Sequence, residues 1–158
     1  LPDNIIEGEE RYLLLIDAEP SILAALQREL RLENYRILTA ASDAEALPLL
    51  ATYPVDVVLT DIRLANISGV DFLRRLKILY PEIIRMVLSG SSEVGSILKA
   101  VNEGVIYRFI TKPWAVDDLR GQVREAFKQR ELQQDNQRMR EQLLSLQHSQ
   151  PEPRGERR

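Results

Sequence analysis

Four apolar runs in this chain each stop on a polar residue of different chemistry. Leu13-Leu14-Leu15-Ile16 stops on Asp17, Val57-Val58-Leu59-Thr60 on Asp61, Met86-Val87-Leu88 on Ser89, and Phe109-Ile110-Thr111 on Lys112. Short runs rich in Val, Ile and Leu alternate with longer amphipathic stretches, the pattern of successive β-α units around a parallel sheet. The spacing predicts five strands, near 12–17, 35–40, 55–61, 83–89 and 105–111. Their near-continuous hydrophobicity predicts burial on both faces. Open α/β sheets bind ligands at the carboxyl ends of their strands. Two acids, a hydroxyl and an ammonium are therefore expected to meet on one edge, with the chemistry of a phosphoryl-transfer site.

The intervening stretches read as helices. Pro20 suits a first helical turn, and Ile22, Leu23, Leu26 and Leu30 follow at helical spacing. Ser42 is expected to cap a second helix, in which Pro48 removes a donor and should kink or shorten the segment. Ser68 and Gly69 introduce a third, with Val70, Leu73 and Leu76 turned inward and Pro81 ending it. A fourth runs from about Glu93 to Asn102, with Gly104 as its C-cap.

The last helical pattern starts at Trp114 and continues to about Gln147, longer than a five-stranded sheet can cover. Leu132, Asn136, Met139, Leu143 and Leu146 recur at alternating steps of four and three residues, with Asn136 at an a-type position. This seam reads as a short parallel coiled coil joining two copies. With little more than two heptads, a solvated helix carrying incidental apolar residues is the plain alternative. The chain thus divides into a disordered lead at 1–10, a domain at 11–131, a coiled-coil extension at 132–148 and a disordered tail at 149–158.

Composition narrows the function. The 158 residues fit about one domain, and the first residue, Leu1, reads as that of a piece cut from a longer protein. A net charge of -3, with Lys and Arg scattered among acids, provides no basic field for nucleic acid. With no cysteine there is no disulfide, thiolate metal site or cysteine nucleophile, which fits a reducing compartment such as the cytoplasm. No apolar stretch approaches the roughly 20 residues that cross a bilayer, so no membrane partner is expected.

The motifs Ile16-Asp17-Ala18-Glu19-Pro20, Leu59-Thr60-Asp61-Ile62-Arg63 with Gly69 beyond, Leu88-Ser89-Gly90 and Thr111-Lys112-Pro113 occur in order, each at a strand end. Over roughly 11–131 the chain resembles the receiver domain of two-component response regulators. The resemblance implies a flavodoxin-like (βα)5 doubly wound sheet of strand order 2-1-3-4-5. It also implies that Asp61 accepts a phosphoryl group from a sensor histidine kinase or a small phosphodonor. Magnesium would be held by Asp17, Asp61 and the main-chain carbonyl of Arg63, while Ser89 and Lys112 contact the phosphoryl oxygens. Ser89 and Phe109 would form the switch, and a cis peptide is expected at Lys112-Pro113. Output would pass through the fourth helix, fifth strand and fifth helix to a coiled-coil dimer and an output domain outside this chain. The run from Tyr107 to Trp114 resembles receivers ahead of cyclic-dinucleotide phosphodiesterase domains and some transcriptional activators.

The chemistry stands beside that resemblance. A carboxylate is a weak nucleophile toward a negatively charged phosphoryl group, so a cation must neutralise its approach. Magnesium, with its near-octahedral shell of hard oxygens, suits the task. One position departs from the family pattern: receivers usually carry two adjacent acids after the first strand, and the second is here Ala18. Its loss should weaken magnesium binding and slow phosphorylation. A pseudo-receiver acting only as a dimerisation or docking module is the alternative. Asp17 alone also fits a helix cap, Ser89 a turn, Lys112 a surface charge and Phe109 ordinary packing. An enzyme working through an aspartyl phosphate would want an acid two residues after the nucleophile, where Arg63 stands, so enzymatic turnover is not expected.

Overall fold

Alternating apolar runs and amphipathic stretches become five consecutive β-α units in the computed structural model, which describes residues 10–149. The elements are β1 (Tyr12–Ile16), α1 (Pro20–Leu30), β2 (Arg36–Ala40), α2 (Asp43–Thr52), β3 (Val55–Asp61) and α3 (Gly69–Leu79). They continue with β4 (Ile84–Ser89), α4 (Val94–Asn102), β5 (Arg108–Thr111) and α5 (Val116–Ser149). All strands are parallel and lie in the order β2-β1-β3-β4-β5, the doubly wound flavodoxin-like arrangement. The chain reverses direction across the sheet between β1 and β3, where such folds open a crevice.

Each face of the sheet carries its own apolar layer. Leu14, Ile16, Val58 and Val87 pack with Ala46 and Leu50 of α2, Val70, Phe72, Leu73 and Leu76 of α3, and Ile97 and Ala100 of α4. Leu13, Leu15, Val57, Leu59 and Met86 face the other way, onto Leu26 and Leu30 of α1 and Leu119, Val123, Ala126 and Phe127 of α5. Two covered faces explain why the strands read as unbroken apolar runs.

The helix starts follow local chemistry. The Ser42 hydroxyl accepts from the Glu45 amide at 3.1 Å while the Glu45 carboxylate accepts from the Ala41 amide at 2.9 Å, a reciprocal cap. Ser68 accepts from the Asp71 amide at 3.0 Å. Gly104 closes α4 with φ of 75°. Pro48 lies inside α2, which continues to Thr52. Pro48 and Ala44, whose carbonyl loses its partner, both lie on the exposed side, where solvent can satisfy that carbonyl.

The fifth strand is shorter than its apolar run. Val105 and Ile106 are buried, but both of their amides donate to the Ala100 carbonyl, at 2.9 and 3.3 Å. They seal the end of α4, and sheet pairing resumes only when the Tyr107 amide reaches the Arg85 carbonyl at 2.7 Å. Apolarity there records packing under a helix end rather than a ladder.

At 34 residues, α5 extends about 51 Å. Its first half is tied to the connection that follows α1, where Arg124 pairs with Glu33 at 2.6 Å and Phe127 stacks on Tyr35 at 4.0 Å, and Trp114, just ahead of α5, donates to the Glu29 carboxylate of α1. Farther along, Arg130 lies 3.4 Å from Asp56 and Glu131 pairs with Arg11, at the amino-terminal edge of the sheet. Beyond this point Leu132, Met139, Leu143 and Leu146 are exposed, as is Asn136. Of the expected disordered lead and tail, residues 1–9 and 150–158 lie outside the described ones. Glu10 accepts from Tyr12 and Arg36, and Ser149 ends α5.

Candidate functional site

The sheet register delivers the four polar residues to one edge. Asp61 ends β3 opposite Leu88, Ser89 ends β4 opposite Thr111, and Asp17 and Lys112 come one residue past β1 and β5. The ladder continues just far enough to fix them. The Asp17 amide donates to the Ala40 carbonyl at 3.1 Å, and the Lys112 amide to the Ser89 carbonyl at 2.8 Å. Lys112-Pro113 is a cis peptide bond.

Lys112 Nζ lies 3.1 Å from Asp17 Oδ2 and 3.1 Å from Asp61 Oδ1. One ammonium thus serves two carboxylates. The Asp17 side chain is 1% exposed, and its other oxygen accepts from the Glu19 amide at 2.9 Å. Asp17 therefore holds the turn that leads into α1 while facing Lys112. Burial pushes the Asp61 carboxyl above the usual range, Lys112 pulls it back, and the Asp17 charge pushes it up again. For Lys112, burial acts downward, but its bonds to Asp17 and Asp61 outweigh that and leave the ammonium pKa raised.

Gly69 fits this edge because nothing larger can. A Cβ there would sit 2.3 Å from the Asp61 carbonyl oxygen and 2.8 Å from Ile62 Cα, so the glycine lets α3 start hard against the backbone that carries Asp61. The Gly69 amide donates to the Ile62 carbonyl at 2.7 Å. Ser89 is 1% exposed, and its hydroxyl donates to the Gly90 carbonyl at 2.7 Å. Phe109 is half-buried and packs against the layer containing α2, α3 and α4.

A cleft of about 380 Å³ opens above these groups, lined by Asp17, Ala18, Asp61, Arg63, Glu93 and Lys112 among others. Ala18 is exposed there and offers no oxygen. Among the described residues, no group of three or more His, Cys, Asp or Glu is placed to hold a metal. Two carboxylates sharing one ammonium nonetheless leave lone pairs and uncompensated negative charge. That hard-oxygen donor set fits magnesium, which commonly takes one or two carboxylates and fills its shell with water.

Sequence reasoning missed Glu93. It ends a single 3-10 turn, Ser91–Glu93, between β4 and α4, and reaches back over the cleft. Arg63 Nε donates to its Oε1 at 2.8 Å, and Ser89 Oγ lies 3.4 Å from its Oε2. The only signal in the sequence was an acid just before a helix, which reads as a favourable charge for the helix dipole.

Comparison with known proteins agrees with the geometry. Residues 13–124 match the response regulator receiver domain family, and the chain belongs to it. It is thus a receiver domain of two-component response regulators. It is 40% identical over 134 residues to the hydrogenase transcriptional regulatory protein HoxA of Cupriavidus necator, covering 85% of this chain and 28% of that one. It is 35% identical over 116 residues to the transcriptional regulatory protein KdpE of Mycobacterium tuberculosis, covering 72% of this chain and 50% of that one. The chain therefore spans half or less of these relatives. A solved signal receiver domain of an HD domain-containing protein from Pseudomonas fluorescens Pf-5 superposes with a TM-score of 0.76 at 32% identity, covering 84% of this chain and 98% of that one. Receiver domains generally bind magnesium at this acidic edge. Among the described residues no helix is long and apolar enough to cross a membrane.

Proposed function

We propose that Asp61 accepts a phosphoryl group from a sensor histidine kinase and that the domain relays this change to an output domain elsewhere in the full-length protein. The observation that carries the reading is the meeting of Asp17 and Asp61 on Lys112 Nζ, at 3.1 Å each, beside the buried Ser89 hydroxyl. A carboxylate oxygen of Asp61 forms a bond to phosphorus as the P–N bond of the donor phosphohistidine breaks, and the electron pair leaves with the imidazole. Lys112 shifts from the two carboxylates toward the new phosphoryl oxygens, and Ser89 turns its hydrogen from Gly90 to another. Magnesium, when bound, would neutralise the approach of like charges. Asp17, Asp61 and the Arg63 carbonyl are the residues to hold it.

The placement of these groups supports a relay. Ser89 ends β4 ahead of α4, and Lys112 directly follows the strand that carries Phe109. The exposed seam Leu132, Asn136, Met139, Leu143 and Leu146 is the surface on which two copies would pair. A relative named as a hydrogenase transcriptional regulator supports transcriptional control as the output.

Ala18 favours a second reading, a receiver that does not accept phosphate and serves as a dimerisation or docking module. Intact mass after incubation with magnesium and acetyl phosphate separates the two. The parent should gain about 80 Da, one phosphoryl group, and Asp61→Asn should gain nothing. Labelling that appears only after Ala18→Asp would leave the docking role.

A further inference from the structure

We propose that Glu93 is an electrostatic gate on the phosphoacceptor cleft, which slows the entry of phosphodonors and ties occupation of the cleft to the start of α4. The inference rests on the reading of Asp61 as the acceptor. Four carboxylates, Asp17, Glu19, Asp61 and Glu93, line the cleft against two cations, Arg63 and Lys112. Lys112 is committed to Asp17 and Asp61. Arg63 is the cation on the rim that could greet a phosphodonor, and Glu93 occupies it: Nε and Nη2 both approach Oε1 at 2.8 Å. Ser92 Oγ accepts from the same guanidinium at 3.3 Å and steadies the arrangement. Glu93 therefore neutralises the positive charge that Arg63 would otherwise present at the entrance.

The same carboxylate stands near the hydroxyl that must move. Ser89 has a single hydroxyl hydrogen, which is directed to the Gly90 carbonyl at 2.7 Å with Glu93 Oε2 3.4 Å away. A phosphoryl group on Asp61 would repel Glu93 while drawing Ser89 inward and offering Arg63 a stronger partner. Glu93 immediately precedes α4, so its release is transmitted to that helix without an intervening loop. Glu93 is not placed as a third metal ligand, since no such group of three exists among the described residues.

The test compares labelling rates of the full chain with acetyl phosphate and magnesium for the parent, Glu93→Gln and Glu93→Asp, at low and high salt. Glu93→Gln keeps the shape and loses the charge, and should label Asp61 about two- to fivefold faster than the parent. That advantage should shrink as salt screens the entrance, which a merely structural effect would not do. Glu93→Asp keeps the charge and should stay close to the parent. In the absence of phosphodonor, amide hydrogen exchange at the start of α4 should be faster in Glu93→Gln. Labelling of both proteins at equal rates, or an advantage indifferent to salt, overturns the gate and leaves Asp61 as acceptor. Absence of label from parent and Glu93→Gln alike overturns the acceptor reading and the gate with it, whereas labelling only of Glu93→Gln supports both.

Discussion

Strand β3 carries two aspartates, Asp56 near its start and Asp61 at its end, and they are almost equally hidden, with side chains 13% and 14% exposed. Burial is the main influence on both and raises both carboxyls above the usual range. What separates them is company. Asp56 accepts from the Tyr12 amide at 3.0 Å and faces Arg130 at 3.4 Å, and every neighbour pulls its carboxyl back down. Asp61 shares its one ammonium with Asp17, whose charge pushes the other way. The first end of the strand is a closed account of charge that fastens α5 to the sheet. The second end keeps an excess of negative charge beside a cleft, which favours the approach of a cation.

The largest expected effect breaks the pair by chemistry. Asp61→Asn should abolish labelling by acetyl phosphate, while Asp56→Asn should label like the parent, as read by intact mass. Loss of label in both variants would mean that the two ends of β3 are not independent.

Stability should divide them in the opposite direction. Asp56→Ala leaves the Tyr12 amide without its acceptor and Arg130 without its partner, and should cost about 2 kcal/mol in urea unfolding. Asp56→Asn retains an acceptor oxygen and should cost much less. Asp61→Asn should cost nothing, because the carboxylate it removes is held against both burial and Asp17. A large loss for Asp61→Asn would show that the Lys112 bridge is a structural fastening after all.

Adding an acid beside the cleft end of β3 sharpens the contrast further. Ala18→Asp adds an oxygen donor at the exposed rim of the cleft and should tighten magnesium binding about tenfold, measured by titration calorimetry. An acid introduced near Asp56, where the charges are already matched, should not create such a site. Unchanged magnesium affinity in Ala18→Asp would mean that Asp17 and Asp61 with solvent already satisfy the ion.

The cleft end was the more legible of the two in the sequence, for a physical reason. Strands buried on both faces make unbroken apolar runs, so the residue that ends each run is conspicuous, and register places Asp17, Asp61, Ser89 and Lys112 together without further information. Asp56 sits inside such a run, and its partners Tyr12 and Arg130 come from distant elements that only the folded packing of α5 brings near. Glu93 was hidden for a related reason: it lies in a polar stretch whose path back over the cleft depends on a 3-10 turn. The run at Val105 and Ile106 misled because burial under the end of α4 demands the same residues as burial in a sheet. Pro48 stays inside α2, as the sequence placed it, because a solvent-facing carbonyl can lose its donor without ending the helix.

The smallest expected effect concerns pH. The Asp61 carboxyl is raised above its ordinary value of 3.8 in the folded protein, so between that value and the folded one the native state binds more protons than the unfolded chain. The stability this contributes is fully present below 3.8 and is lost as pH rises through the folded value. At neutral pH the ionised Asp61 therefore weighs slightly against the fold, and Asp61→Asn should melt higher than the parent by about 2 °C or less. That gap should close as pH falls below the ordinary value, where the parent carboxyl is neutral as well. For Asp56→Asn the difference from the parent should move with pH in the same direction, since its carboxyl is raised too, but on top of the small cost of losing the charge that faces Arg130 and without Asp17 as a contributing cause. If the Asp17→Asn background removes more of the pH dependence at Asp61 than at Asp56, company rather than burial distinguishes the two ends of β3. Equal loss at both would return the difference to burial alone.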